Sequence, residues 1–238
     1  LLLRARSFDV ILGLTLLSYA TNLLIFAGGR LVPGKPAVLR DGVAPTLANY
    51  TEATLANGSV DPNWDFTNTW YVVDGSTRPF LRMEYSTTIT NSHQLQLMAM
   101  DLDANYTLGN NIDMSNAFNS VSGMWATDRT GNSPTGSGFV PIGNENESFT
   151  GSFDGKNHTI TGLTISREST SVVGLFGQSD ASISNLGLID VDITGADYVG
   201  GLAGNNYGNI SNSYVTGSVS GVGDVGGLVG WTSDDSVI

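Results

Sequence analysis

Acid–base chemistry in this chain would have to rest on two histidines, His93 and His158, and on scattered carboxylates, because cysteine is absent. The missing thiols remove disulfides, thiol nucleophiles and Cys-based zinc sites together. His93 falls in a segment free of Gly and Pro and His158 sits beside a turn, so both read as surface or structural side chains. Asp154, Asp190, Asp192 and Asp197 are the acids to weigh for paired-carboxylate glycoside chemistry. No spacing singles out an acid and a base among them, and they read as solvated faces. Hard cations favour carboxylate and carbonyl oxygens at turns, yet neither a twelve-residue helical-hand loop nor a nine-residue Gly-Asp export repeat occurs. The expected cofactor set is therefore none, with calcium as an alternative to which no ligands are assigned. Six Asn-x-Ser/Thr triplets, beginning at Asn49, Asn57, Asn105, Asn146, Asn157 and Asn209, fit the N-glycosylation pattern and carry meaning only in a glycosylating host.

The charges that surround these residues are unevenly divided. Residues 1 to 58 hold five basic groups (Arg4, Arg6, Arg30, Lys35, Arg40) against three acids (Asp9, Asp41, Glu52); the remainder holds five against nineteen, a net charge of −14. A field of that sign repels nucleic acid and anionic lipid, so no nucleic-acid partner is expected. Only 13% of residues are charged and glycine reaches 30 copies, a composition unlike that of a typical cytosolic enzyme.

The elements that must position these side chains announce themselves by repetition, which outranks every other signal in the chain. Ile160-Thr-Gly-Leu163-Thr-Ile165, Ile183-Ser-Asn-Leu186-Gly-Leu188 and Ile210-Ser-Asn-Ser213-Tyr-Val215 align, with starts 23 and 27 residues apart. Each is followed by a glycine bracket: Gly174-Leu175-Phe176-Gly177, Gly201-Leu202-Ala203-Gly204 and Gly227-Leu228-Val229-Gly230, spaced by 27 and 26. A unit of this length, built of short β-prone pieces and Gly or Asn turns, suits one coil of a right-handed parallel β-helix. Within it Val191 and Ile193 are expected to point inward and Asp190 and Asp192 outward. A sandwich or barrel of hairpins is the rival, but the unit is longer than a hairpin strand and two-residue hairpin turns are few. Ahead of the repeat, Trp64–Phe66 and Trp70–Val73 read as a short β segment. Thr90–Leu102, with Thr90 or Asn91 as its cap, reads as a short helix able to lid an apolar solenoid end.

The bracket residues resemble the GLUG motif, a repeat of bacterial and archaeal surface proteins that include filamentous-haemagglutinin-like adhesins and some peptidases. The resemblance runs from about Trp64 to the end. It takes in Gln94–Met100, Tyr106–Asp113, and above all Gly138-Phe-Val-Pro-Ile-Gly143 followed by Phe149-Thr-Gly-Ser-Phe-Asp-Gly155. It implies a cell-surface fragment whose activity the repeat does not define.

The start of the chain is of another kind. Val10 to Ala27 is eighteen residues without a charge, between Arg4 and Arg6 on one side and Arg30 on the other, close to the length that crosses a bilayer core of about 30 Å. The leading expectation is one transmembrane helix. A signal peptide cleaved after Ser18-Tyr19-Ala20 and a buried soluble helix are the alternatives. Leu1 to Thr51 resembles part of the C subunit of a multisubunit Na+/H+ antiporter, a family with three membrane helices, of which this stretch would match the middle one. The helix has no acid at its centre, so antiport by this chain alone is not expected. The basic flanks weakly favour the downstream side as cytoplasmic.

The sequence thus divides into a membrane helix with its flanks (1–32), a loop or linker (33–63), a β segment with a capping helix (64–105) and an incomplete GLUG-type solenoid (106–238). Its function reads as a non-catalytic, membrane-tethered adhesin-type module outside the cell, or one secreted after signal cleavage. The partners would be a bilayer and an unidentified surface ligand, either a carbohydrate or a host or neighbouring protein. The readings it competes with are an antiporter membrane-subunit fragment fused to an unrelated repeat and a β-helix polysaccharide-active enzyme.

Overall fold

The computed structural model describes residues 65–73, 76–119, 123–125 and 136–238. The chain divides into two units, Leu1–Asp65 and Phe66–Ile238, and every described element belongs to the second. The expected membrane helix and the 33–63 linker lie outside the described residues. Among the described residues no helix is long and apolar enough to cross a membrane.

The second unit opens with β1 (Trp70–Tyr71) and β2 (Phe80–Leu81), paired antiparallel. Next come β3 (Thr88–Ile89) and the single α-helix among the described residues, α1 (Ser92–Leu97). Asn91 caps α1, its side chain accepting from Gln94 N at 3.0 Å. Gln94 Oε1 in turn accepts from Thr90 N and Oγ1, so both ends of the cap are tied down before the first turn. The helix is shorter than the expected Thr90–Leu102. It tightens into a 3-10 turn at Met98–Met100, and Asp101 is already extended at φ −150°, because the chain must swing into β4 (Asn105–Leu108) and β5 (Ile112–Asp113).

Three coils follow, each crossing three faces. The first holds β6 (Ser152–Asp154), β7 (Thr159–Thr161), β8 (Thr164–Ser166) and β9 (Phe176–Ser179). In the second are β10 (Ser182–Ser184), β11 (Gly187–Thr194), β12 (Val199–Gly200) and β13 (Ala203–Asn206). The third holds β14 (Asn209–Ser211), β15 (Tyr214–Ser220), β16 (Val225–Gly226) and β17 (Val229–Thr232). Pairing between coils is parallel throughout. The faces are the sheets β14-β10-β6-β4-β3, β15-β11-β7-β5 with β8 against β11, and β17-β13-β9 beside β12-β16. The mainly β architecture is therefore a β-solenoid of about three turns.

Stacking converts the sequence repeat into continuous interior rows. Phe153, Ile183 and Ile210 form one row, Ile160 and Leu188 another, and Ile165 and Ile193 a third, all at most 2% exposed. Each such side chain contributes about 1.5–3 kcal/mol on leaving water. Val191 and Ile193 are buried and Asp190 and Asp192 exposed, the two-residue period being reset after the buried Leu188 by a register shift at which Asp190 takes φ 52°.

One part of the sequence alignment needs correction. Ile183 does pair with Ile210, but beneath Ile183 lies Phe153, and Ile160 sits beneath Leu188 on the next face. The interior takes an aliphatic from every face, so the same Ile-x-x-Leu spelling arises at two places in a coil. Sequence similarity then matched unlike faces.

Candidate functional site

At the glycine brackets neighbouring coils approach closely. Phe176, Ala203 and Val229 stack in register, and Leu175, Phe176, Leu202 and Ala203 are buried. The second glycine of a bracket faces backbone: a Cβ on Gly204 would meet the carbonyl carbon of Val172 at 2.6 Å and Val173 N at 2.7 Å. Gly177, Gly201 and Gly230 are similarly confined, Gly174 less tightly, whereas nothing lies within 4 Å of a Cβ on Gly227. These residues make coil contacts, and their chemistry is that of close packing.

The corner between the second and third faces carries more varied chemistry. Four residues (195–198) join β11 to β12 and four (221–224) join β15 to β16. The equivalent connection in the first coil, from Ser166 to Val173, takes six (167–172). Arg167 N donates to Thr194 O and Gly195 N to Ser220 O, so an arginine occupies the rung that its siblings fill with Gly195 and Gly221. Those glycines have no room for a side chain, since a Cβ on either would lie 2.8 Å from Val199 Cγ2. The two extra residues make that room, and Thr170 N closes a turn onto Arg167 O. The outcome is an open recess of 530 Å³ lined by Ser137, Ser166, Arg167, Glu168, Ser169 and Thr170.

Arg167 is half-buried there. Its Nε donates to Phe139 O at 3.4 Å, while Nη2 is shielded from solvent and has no acceptor. Among the described residues no carboxylate lies within ion-pair distance of it. Burial pushes the guanidinium pKa down, the direction expected of a cation that has lost water without gaining a counter-ion.

The acids and histidines weighed in the sequence lie apart from this recess. Asp154 ends β6, where Asn185 Nδ2 donates to Oδ1 at 2.9 Å and Lys156 Nζ lies 2.9 Å from Oδ2. The Asn185 bond first, and Lys156 second, hold its carboxyl down at about 2. Asn212 Nδ2 donates to Asn185 Oδ1, so an Asn–Asn–Asp column runs up this corner. Both asparagines sit at positive φ, 54° and 47°, a conformation asparagine tolerates better than most residues. Asp190 and Asp192 stand on the outer side of β11, and Asp197 lies in the 195–198 corner. Among the described residues no hydrogen bond joins any two of the four. His93 Nδ1 is 2.9 Å from Glu84 Oε2, with its ring edge-on to Phe80; His158 Nδ1 is 3.1 Å from Asn111 Oδ1. Among the described residues no group of three or more His, Asp or Glu could hold a metal ion. Asn105, Asn146, Asn157 and Asn209 are exposed, and the glycosylation triplets at Asn49 and Asn57 lie outside the described residues.

The recess was missed in the sequence, although a signal for it existed. From Phe153 to its successor Ile183 is 30 residues, against 27 from Ile183 to Ile210. Two corners add two residues each and the stretch from Val173 to Phe176 is one shorter than its sibling, so the apolar pattern is little disturbed.

Comparison with known proteins agrees with the repeat. The model of the GLUG motif matches residues 195–220, a span covering the Gly195–Tyr198 corner, the second glycine bracket and the whole of β15. The chain is 44% identical over 108 residues to "Halomucin" of Haloquadratum walsbyi, 43% of this chain. Over 52 residues, 22% of this chain, it is 52% identical to the C subunit of a probable K(+)/H(+) antiporter of Rhizobium meliloti. Over 84 residues, 33% of the chain, it is 39% identical to "Putative Gly-rich membrane protein" of Evansella cellulosilytica. The matches span 1%, 45% and 10% of those proteins' lengths. A GLUG repeat and an antiporter-like segment thus occur in one chain.

Proposed function

We propose that the solenoid is a non-catalytic surface module of adhesin type, displayed outside the cell and tethered through the apolar N-terminal segment. The observation that carries this reading is the allotment of residues. The recurrent ones are consumed by coil stacking, and the acids and histidines best placed for catalysis are dispersed or held in corner and packing bonds. Similarity to halomucin and to a protein described as a Gly-rich membrane protein supports a place at the cell surface. Protease treatment of intact cells tests it: cleavage within 66–238 before lysis is expected, and full protection until lysis would overturn display.

A second reading is favoured by the 52-residue likeness to an antiporter. On this reading the first part is a piece of a membrane ion-transport protein joined to a repeat of separate origin. Sequencing the native gene across residues 45–65 decides between them, because two separate genes there would make the joined chain artificial.

A further inference from the structure

In a solenoid, whatever the coils share belongs to the architecture, so a feature that one coil alone possesses is where a specific task can reside. The first coil is one residue shorter than the others between Val173 and Phe176, and it is longer than they are at two corners. One is the corner between its first and second faces, where four residues (155–158) stand in place of two (185–186 and 212–213). There the added groups find partners outside the corner, Lys156 with Asp154 and His158 with Asn111. The other is the 167–172 corner, whose added cation has one long hydrogen bond, to Phe139 O, and no counter-ion among the described residues.

We propose that the recess at Ser137 and Ser166–Thr170 binds an acidic saccharide, with the Arg167 guanidinium receiving the sugar's carboxylate or sulfate and the surrounding hydroxyls receiving its ring oxygens. This deepens the surface-module reading above and rests on it for its biological setting. Three features converge. Arg167 lines the recess, a guanidinium is the side chain that matches an oxyanion, and its Nη2, shielded from solvent in this conformation, has no acceptor. The walls supply hydroxyls from Ser137, Ser166, Ser169 and Thr170, together with the Glu168 carboxylate. Hydroxyls both donate and accept, as ring hydroxyls require, and Glu168 can accept from a sugar hydroxyl while opposing a bare anion. Finally, the unit as a whole is strongly acidic, so a simple anion would be repelled at long range. Recognition must come from short-range hydrogen bonds, which favours a ligand bearing hydroxyls as well as charge.

The test uses the full chain, with calorimetric titration of oligogalacturonate, its methyl ester, a sulfated galactan oligomer and inorganic sulfate. Saturable binding of the uronate or the sulfated oligomer, at least tenfold tighter than the methyl ester and inorganic sulfate, is expected; which acidic oligomer wins identifies the oxyanion. Arg167→Gln should weaken that binding at least tenfold while leaving the melting temperature close to the parent's, because the guanidinium it removes makes one long hydrogen bond, to Phe139 O, and has no counter-ion among the described residues. Arg167→Gly, the sibling coils' residue, should do the same. Equal binding of ester and acid, equal binding of inorganic sulfate, no saturable binding of either acidic oligomer, or undiminished binding by both variants would each overturn the proposal. None of these outcomes bears on protease accessibility in intact cells, so a failed ligand assignment is distinguishable from a failed surface assignment.

Discussion

Asp154 is the carboxylate through which the fold feels acid. Its carboxyl is held at about 2 by Asn185 Nδ2 and then by Lys156, against about 3.9 for an unstructured aspartate. A folded-state value below the unfolded one means that the stabilisation is fully present above about pH 4. It fades as the pH falls through 2, where the folded form too takes up the proton. The group is still 31% exposed, and solvent screening limits its contribution to below about 1 kcal/mol. Asp154→Asn should therefore melt slightly lower than the parent at pH 7 and converge with it near pH 2. Parallel melting curves at both pH values would place the coupling elsewhere.

At the scale of the element, the glycine bracket makes a sharper demand. Gly204 lies against the backbone of Val172 and Val173, which a methyl group cannot push aside, whereas Gly227 has open space. Gly204→Ala should cost about 1–3 kcal/mol through overpacking, seen as a melting temperature several degrees lower, and Gly227→Ala should be close to silent. The same contrast explains what the sequence could and could not convey. The brackets were legible because they recur in register, and the inward Val191 and Ile193 because they alternate with Asp190 and Asp192. The start of α1 was legible in Asn91, its end was not, since tertiary packing around Met98 rather than any capping residue turns the chain. Face identity was hidden at Ile160 and Ile183 by an interior that accepts aliphatics equally from all sides. Arg167 was hidden because a lengthened corner leaves no mark on hydrophobic periodicity.

For the whole molecule, stability in a stacked array is close to a sum over coils and their interfaces, so the unit of tolerated change is one coil in register. Ser182 pairs with Asn209, and excising Ser182–Gly208 joins equivalent points of successive coils. That deletion of about 27 residues is expected to leave a cooperatively folded, less stable protein with proportionately less β signal by circular dichroism. Removing Ser182–Gly204, about 23 residues and the spacing of the misaligned strands, would splice unlike faces and should abolish folding. Equal outcomes for the two deletions would contradict the register described.

The lengthened corner at 167–172 separates two properties that most folds entangle. The rows of Ile165, Ile193, Val173 and Val199 run on beneath it, so the turn hangs from a frame that does not depend on its composition. It is to this solenoid what a hypervariable loop is to an immunoglobulin sandwich. Gene duplication can lengthen the frame one period at a time while each copy's corner diversifies separately. A library randomised over Glu168–Thr170 would sample new recognition at little risk to the scaffold.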